Sequence, residues 1–132
     1  MKRLGALGGA LALLIALAPS AGAESPPPFV LEWGSYGTSL GQFRTPTGVA
    51  VGPTGQVYVV QVGSPYRVQK FNPDGTFVTA WGGAGTGDGQ FDGPSDVAVD
   101  AVGSVYVVDR VNFRIQKFTS SGSFVTKWGV NG

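Results

Sequence analysis

The sequence predicts an all-β protein made of β-propeller blades, each with four antiparallel strands. The run Arg-Val-Gln-Lys-Phe at 67–71 returns as Arg-Ile-Gln-Lys-Phe at 114–118, and each copy is followed by Phe-Val-Thr-x-Trp-Gly. The spacing is 48 residues from Trp33 to Trp81 and 47 from Trp81 to Trp128. A four-stranded unit repeated at this length is typical of propeller blades, with a solenoid of β-hairpins as the alternative.

The first 23 residues predict a secretory signal peptide that is cleaved after Ala23. A basic Met-Lys-Arg start precedes an apolar run at 4–18, and small residues occupy positions 21 and 23. Pro19 closes the run before it reaches the roughly 20 residues of a spanning helix. The chain has no cysteine, which excludes a lipid anchor and disulfides. We therefore expect a secreted or periplasmic protein with no membrane span after signal removal.

The rest of the chain divides into a spacer and a propeller segment. Three consecutive prolines within 24–28 favour a stiff, extended spacer. The propeller segment, 29–132, begins with a lone outer strand at 29–33, and two complete blades follow at 41–82 and 89–129. Alternating or β-branched apolar residues separated by glycine-containing turns predict the strands of these blades at 47–51, 57–61, 67–71, 77–81, 95–100, 105–109, 114–118 and 124–128.

Three runs of the second blade resemble the NHL repeat. They are Pro-Ser-Asp-Val-Ala-Val-Asp at 94–100, Gly-Ser-Val-Tyr-Val-Val-Asp at 103–109 and Asn-Phe-Arg-Ile-Gln-Lys-Phe at 112–118. The resemblance extends over 29–129 and covers about two repeats plus the extra strand. Family members with this repeat form propellers, usually of six blades, which is the fold that the resemblance implies.

The repeats depart from the family pattern at a few positions. Phe113 stands where the family often has His, and Asp96 stands where it usually has Gly. In the second blade Asp109 and Arg114 are placed to close a hairpin, by a side-chain pair or an Asx-type turn. Gln61 replaces this aspartate in the first blade, so we expect the pair to be missing there.

Two blades and one strand do not close a propeller, which usually has four to eight blades. An isolated chain would present an apolar blade face at each end, and exposed faces and edges favour association. We therefore expect the sequence to be a fragment of a longer propeller. The alternative is a homo-oligomer in which three copies close a six-blade ring, although the surplus strand argues against it.

Six aromatic residues recur at fixed positions of the repeat. Their periodicity predicts that they form a core between blades and not a carbohydrate platform. They are Trp33, Trp81, Trp128, Phe29, Phe77 and Phe124.

The long connections and two hairpin loops are predicted to lie at one end of the propeller, opposite the tight turns. These segments are 34–46, 82–94, 62–66 and 110–113. Long loops on a rigid scaffold carry recognition, and aromatic and arginine side chains suit a protein or peptide partner. The candidate ligand-binding residues are Tyr36, Arg44, Tyr66, Asp92, Asp96, Arg110 and Phe113.

The residue types exclude several chemistries. The chain has no His and no Cys, which excludes Ser-His-Asp triads, thiol nucleophiles and the His-held zinc of NHL-like amidating lyases. The segment 88–93 resembles the start of a calcium loop, but Val99 stands where the bidentate Glu should be. We therefore predict a blade connection there and expect no metal and no other cofactor. Once Lys2 and Arg3 are removed with the signal peptide, the chain has seven basic and eight acidic residues, which argues against nucleic acid as a partner.

Together these features predict an exported, non-catalytic scaffold for protein or peptide recognition. The alternative is a metal-dependent hydrolase, lactonase-like or esterase-like, as in related six-blade enzymes. Asp96 would then lie near the channel mouth, and the other ligands would come from blades outside this chain. A purely structural role in a larger surface assembly is a further alternative.

Overall fold

The computed structural model describes Ser25 and residues 27–129, and all regular structure within them is β. Two four-stranded antiparallel sheets, blade 1 and blade 2, have the orders β1-β2-β3-β4 and β5-β6-β7-β8. The prediction of four-stranded blades of a partial propeller is thereby confirmed. The strands are β1 (Pro46–Val51), β2 (Val57–Gln61), β3 (Arg67–Phe71), β4 (Phe77–Gly82), β5 (Pro94–Val99), β6 (Val105–Asp109), β7 (Arg114–Phe118) and β8 (Phe124–Trp128).

The N-terminal predictions have different outcomes. The predicted signal peptide and part of the spacer lie outside the described residues. The outer strand predicted at 29–33 is absent, because these residues have no regular secondary structure. A strand needs a hydrogen-bonded neighbour, and neither described sheet provides one for this segment. No described helix is long and apolar enough to cross a membrane.

Four tight turns at one end of the blades share one hydrogen-bond pattern. In each, a glycine N–H donates to the carbonyl three residues earlier, and that glycine has a φ between +88° and +93°. Only glycine adopts this left-handed conformation without a steric cost, so the sequence places these turns directly. The donor–acceptor pairs are Gly55–Gly52, Gly75–Asn72, Gly103–Asp100 and Gly122–Thr119.

The core lies between the two blades. Blade 1 contributes buried side chains from β2 and β3, and blade 2 contributes buried side chains from β5, β6 and β7. The innermost strands β1 and β5 lie side by side, and the Thr47 hydroxyl donates to the Pro94 carbonyl at 3.1 Å. The buried residues of this core are Tyr58, Val60, Val68, Phe91, Val97, Val105, Val107 and Phe118.

The predicted aromatic core is only partly formed. Phe118 packs against Trp81 with ring centroids 5.7 Å apart, and Phe71 packs against Trp33 in the same way at 6.1 Å. By contrast Phe29 is 76% exposed and Trp128 is 49% exposed. The prediction that all six aromatic residues are core is therefore wrong, since no third blade covers these positions within the described residues.

Candidate functional site

The long connections and the hairpin loops lie at one end of the blades, as predicted. The N–H of Val62 donates to the Thr45 carbonyl at 2.9 Å, and the N–H of Val111 donates to the Asp92 carbonyl at 3.0 Å. Each β2–β3 or β6–β7 loop is thereby joined to the connection that precedes its blade. We define the loop end as residues 34–46, 62–66, 82–94 and 110–113.

The two connections have the same internal hydrogen bonds. In the first, the Phe43 N–H donates to the Ser35 carbonyl at 2.8 Å, and in the second the Phe91 N–H donates to the Gly83 carbonyl at 2.7 Å. Both make isolated parallel bridges, Tyr36 to Phe43 and Ala84 to Phe91. These long segments therefore have a fixed backbone shape.

A buried carboxylate organises the loop end of blade 2. Asp109 is fully buried, and its Oδ2 accepts hydrogen bonds from Arg114 Nε at 2.8 Å and Asn112 Nδ2 at 2.9 Å. Its Oδ1 accepts from the backbone N–H of Asp92 at 2.7 Å. The predicted closure of this hairpin by Asp109 and Arg114 is confirmed as an ion pair.

The segment that resembles a calcium loop is held by protein groups. Arg114 Nη2 donates to the Gly87 carbonyl at 2.8 Å and to the Gln90 carbonyl at 2.9 Å. The Asp88 carboxylate accepts from Lys127 Nζ at 2.6 Å. These contacts agree with the interpretation of 88–93 as a blade connection.

Blade 1 lacks the equivalent ion pair, as the sequence predicted. Gln61 occupies the position of the aspartate and donates to the Gly63 and Pro65 carbonyls at 3.3 and 3.0 Å. Arg67 still donates through Nη2 to the Ser39 carbonyl at 2.7 Å, but its buried Nε has no acceptor among the described residues. Burial lowers the pKa of Arg67.

Four candidate ligand-binding residues are exposed at the loop end. Tyr36 is 77% exposed and Phe113 is 64% exposed, and Arg44 and Arg110 are exposed as well. Phe113 has a φ of 53°, the only positive φ of a non-glycine residue in the described chain. The structure therefore presents two aromatic rings and two guanidinium groups on a fixed backbone.

The other three candidates have different surroundings. Tyr66 is half-buried against the core between the blades, and Asp92 is half-buried beside the second hairpin loop. Asp96 is exposed on β5, where its Oδ1 accepts the Val97 N–H at 2.9 Å. It lies beside β1, because a Cβ placed on Gly48 would be 3.0 Å from Asp96 Oδ1. No cluster of three His, Cys, Asp or Glu residues suited to a metal occurs among the described residues.

The sequence predicted an apolar blade face at each end of an isolated chain, but it did not locate the cavity of about 380 Å³ that lies on the outer face of blade 2. We call it the socket, and only Arg110 and Phe113 among its lining residues were candidates. Aligning the two repeats would have located it, because Val108, Ile115 and Trp128 align with Val60, Val68 and Trp81, which lie in or against the core between the blades. The socket is lined by Val108, Asp109, Arg110, Phe113, Arg114, Ile115, Trp128 and Gly129.

Comparison with known families agrees with the blade architecture. Residues 91–118 match the NHL repeat, from the segment before β5 to the end of β7. No curated protein matches the chain.

Three solved structures share the fold. The gluconolactonase from Xanthomonas campestris is 20% identical, with a TM-score of 0.54 over 70% of this chain and 30% of that one. A protein of Bacteroides fragilis is 16% identical, with a TM-score of 0.60 over 76% of this chain and 28% of that one. Regucalcin, a calcium-binding protein from Agrobacterium tumefaciens, is 16% identical, with a TM-score of 0.50 over 69% and 32%. The chain thus spans less than a third of the length of these structures.

Proposed function

We propose that this chain, which carries an NHL repeat, is an exported, non-catalytic sector of a β-propeller that recognises a protein or peptide at its loop end. The observation that carries the proposal is the exposure of Tyr36 and Arg44 on the first connection, and of Phe113 and Arg110 on the second hairpin loop. Backbone hydrogen bonds fix both segments. Aromatic and arginine side chains dominate the binding energy of protein interfaces.

Rigidity of the loop end supports this role. The guanidinium of Arg114 holds the second connection through three carbonyls, those of Thr86, Gly87 and Gln90. A partner that binds a preformed surface of this kind loses little free energy in ordering it. A flexible loop of the same composition would bind more weakly.

The backbone of Phe113 gives a second line of support. Its left-handed φ of 53° costs a non-glycine residue about 1–2 kcal/mol. Strained backbone of this kind clusters at binding and active sites. A ring that is held in this conformation and remains exposed fits a contact residue.

Selection of peptides from a phage-displayed library against the purified protein tests the proposal. The best clones are compared on Tyr36→Ser and Phe113→Ser, with Val102→Ser as the matched control, since Val102 is 85% exposed at the opposite end. We expect each loop-end substitution to raise Kd about tenfold, as for an interface residue worth more than 1 kcal/mol. Equal affinity for all variants would refute a loop-end site.

One observation favours a second function, metal-dependent hydrolysis of a lactone. Asp96 places an exposed carboxylate on an innermost strand, and the fold is shared with a gluconolactonase and a calcium-binding protein. Further ligands would have to come from outside the described residues, because one carboxylate does not complete a metal shell. Hydrolysis of gluconolactone with added Ca²⁺, followed at constant pH and abolished by Asp96→Asn, would establish this function instead.

A further inference from the structure

The contact between the two blades shows how one blade face fits the next. Blade 1 contributes Val60 and Val68, both fully buried, with Tyr66 and Trp81 packed around them. Blade 2 inserts Phe91, which is fully buried in the same cluster. Aromatic and branched residues of two successive repeats thus close one apolar interface.

The outer face of blade 2 exposes the same set of positions. Val108, Phe113, Ile115 and Trp128 correspond in the repeat to Val60, Tyr66, Val68 and Trp81, and they line the socket. Ile115 is 41% exposed, whereas its counterpart is fully buried. The socket therefore has the same kinds of residue that surround the Phe91 ring in the internal interface, but no described phenylalanine ring fills it.

The free face of blade 1 exposes the other half of the interface. Phe43, Val49, Val57 and Val59 are the counterparts of the buried Phe91, Val97, Val105 and Val107, and they line a cavity of about 310 Å³. Val49 is 64% exposed, whereas Val97 is 5% exposed. One chain thus displays both sides of an interface that it also forms internally, with Trp33 over part of the blade 1 side.

We propose that this chain binds a second copy of itself head to tail, with the socket of one copy covering Phe43 and Val49 of the next. A second copy fits the socket because the residues of blade 2 that pack against blade 1 are repeated, residue for residue, on the free face of blade 1. Such a contact is heterologous, and propellers of four to eight blades correspond to rings of two to four two-blade copies. Three copies give the six blades that the resemblance to the NHL repeat implies. The hydrogen bond from Thr47 to the Pro94 carbonyl would recur between copies, from Ser95 to Pro46.

Trp33 regulates this contact because it occupies part of the same face. Its ring lies over Gly75 as the ring of Trp81 lies over Gly122, so it takes the place that Trp128 of the second copy needs. The segment that carries Trp33 has no strand partner in the described sheets, so docking displaces it. The proposal does not depend on the proposed loop-end function, although docking half-buries Phe113 in the way that Tyr66 is half-buried.

Sedimentation of the purified protein between about 1 and 200 μM tests the proposal. Val49→Glu disrupts only the free face of blade 1 and Ile115→Glu disrupts only the socket, so each variant alone is monomeric. In an equimolar mixture the intact socket of one variant binds the intact face of the other, which gives a 1:1 dimer and nothing larger. Val102→Glu, an exposed valine outside both faces, associates like the unaltered chain. Trp33→Ser lowers the dissociation constant at least tenfold. Circular dichroism establishes that each variant is folded.

Two results overturn the proposal. One is a folded monomer at every concentration for both the unaltered chain and Trp33→Ser, which would mean that something else covers these faces. The other is association that Val49→Glu and Ile115→Glu leave unchanged. A dimer that appears only in the mixture of the two variants supports the proposal, because only a head-to-tail contact predicts it.

Discussion

Replacing Asp109 by Asn removes one charge from the centre of the loop end and leaves the side chain almost the same size. Oδ2 of Asp109 accepts three hydrogen bonds, from Arg114, Asn112 and Gln116, and Oδ1 accepts a fourth from the backbone. All four partners are donors. The amide nitrogen of an Asn would therefore face at least one N–H group, whichever way it is turned.

The expected loss follows from the burial of the pair. The side chain of Asp109 is fully buried and that of Arg114 is 7% exposed. Removing one partner of a buried ion pair costs about 3–5 kcal/mol, because the other charge is left uncompensated. Arg114 keeps three carbonyl acceptors on Nη1 and Nη2, so we expect about 3 kcal/mol, the lower end of that range. At about 4 °C per kcal/mol, the midpoint of thermal unfolding falls by about 12 °C.

Urea unfolding followed by tryptophan fluorescence measures this loss. Gln61→Asn is the matched control, because it shortens the equivalent side chain of blade 1, where no ion pair exists. Asp109→Asn is measured again in an Arg114→Met background, where its cost should fall by about 1.5 kcal/mol or more. A cost below about 1 kcal/mol, or the same cost in both backgrounds, would refute the argument from the uncompensated charge.

Three further predictions concern single residues. Gly122→Ala should destabilise the protein by at least about 1 kcal/mol more than Gly103→Ala in urea, because both glycines have a positive φ but only the Cβ at 122 would approach the Trp81 ring, to 2.5 Å; equal costs would contradict the packing. Phe113→Gly should raise the unfolding free energy by about 1 kcal/mol by relieving the left-handed backbone, while peptide binding weakens; lower stability would contradict the strain. The Asp74 carboxylate accepts hydrogen bonds from the backbone N–H of Thr76 and from the Thr76 hydroxyl. These two bonds, the backbone one first, hold the pKa of Asp74 below its ordinary value. The ionised carboxylate therefore adds stability above its unfolded pKa, and this contribution disappears as pH falls through the folded pKa. Asp74→Asn should for this reason lose less stability than the unaltered chain between about pH 5 and pH 2. Parallel profiles of stability against pH for the two proteins would contradict the pKa shift.

The sequence predicted the blades because their determinants are local. Glycine positions specify the four tight turns, and alternating apolar residues place the strands within one or two residues of the observed ends. Asp109 and Arg114 were predicted to pair because they flank a short hairpin loop. These features depend on neighbouring residues and recur in both repeats.

Other features depend on groups that are distant in sequence or outside the described residues. The segment 29–33 has the apolar character of an outer strand, but a strand forms only when another strand supplies hydrogen bonds. Trp128 occupies the repeat position of Trp81, which packs against the core, but Trp128 is exposed because no blade follows it in the described structure. At the candidate site, the partial burial of Tyr66 and the socket were missed because both are set by contact, or lack of contact, with a neighbouring blade.

Hydrogen–deuterium exchange tests most directly the central claim that two four-stranded blades pack through one apolar core. Strands β2, β3, β6 and β7 are bonded on both sides and should exchange most slowly. Residues 31–33, outside both sheets, should exchange within seconds. Slow exchange of 31–33 together with fast exchange of β2 and β3 would contradict the arrangement of strands on which the loop end and both blade faces depend.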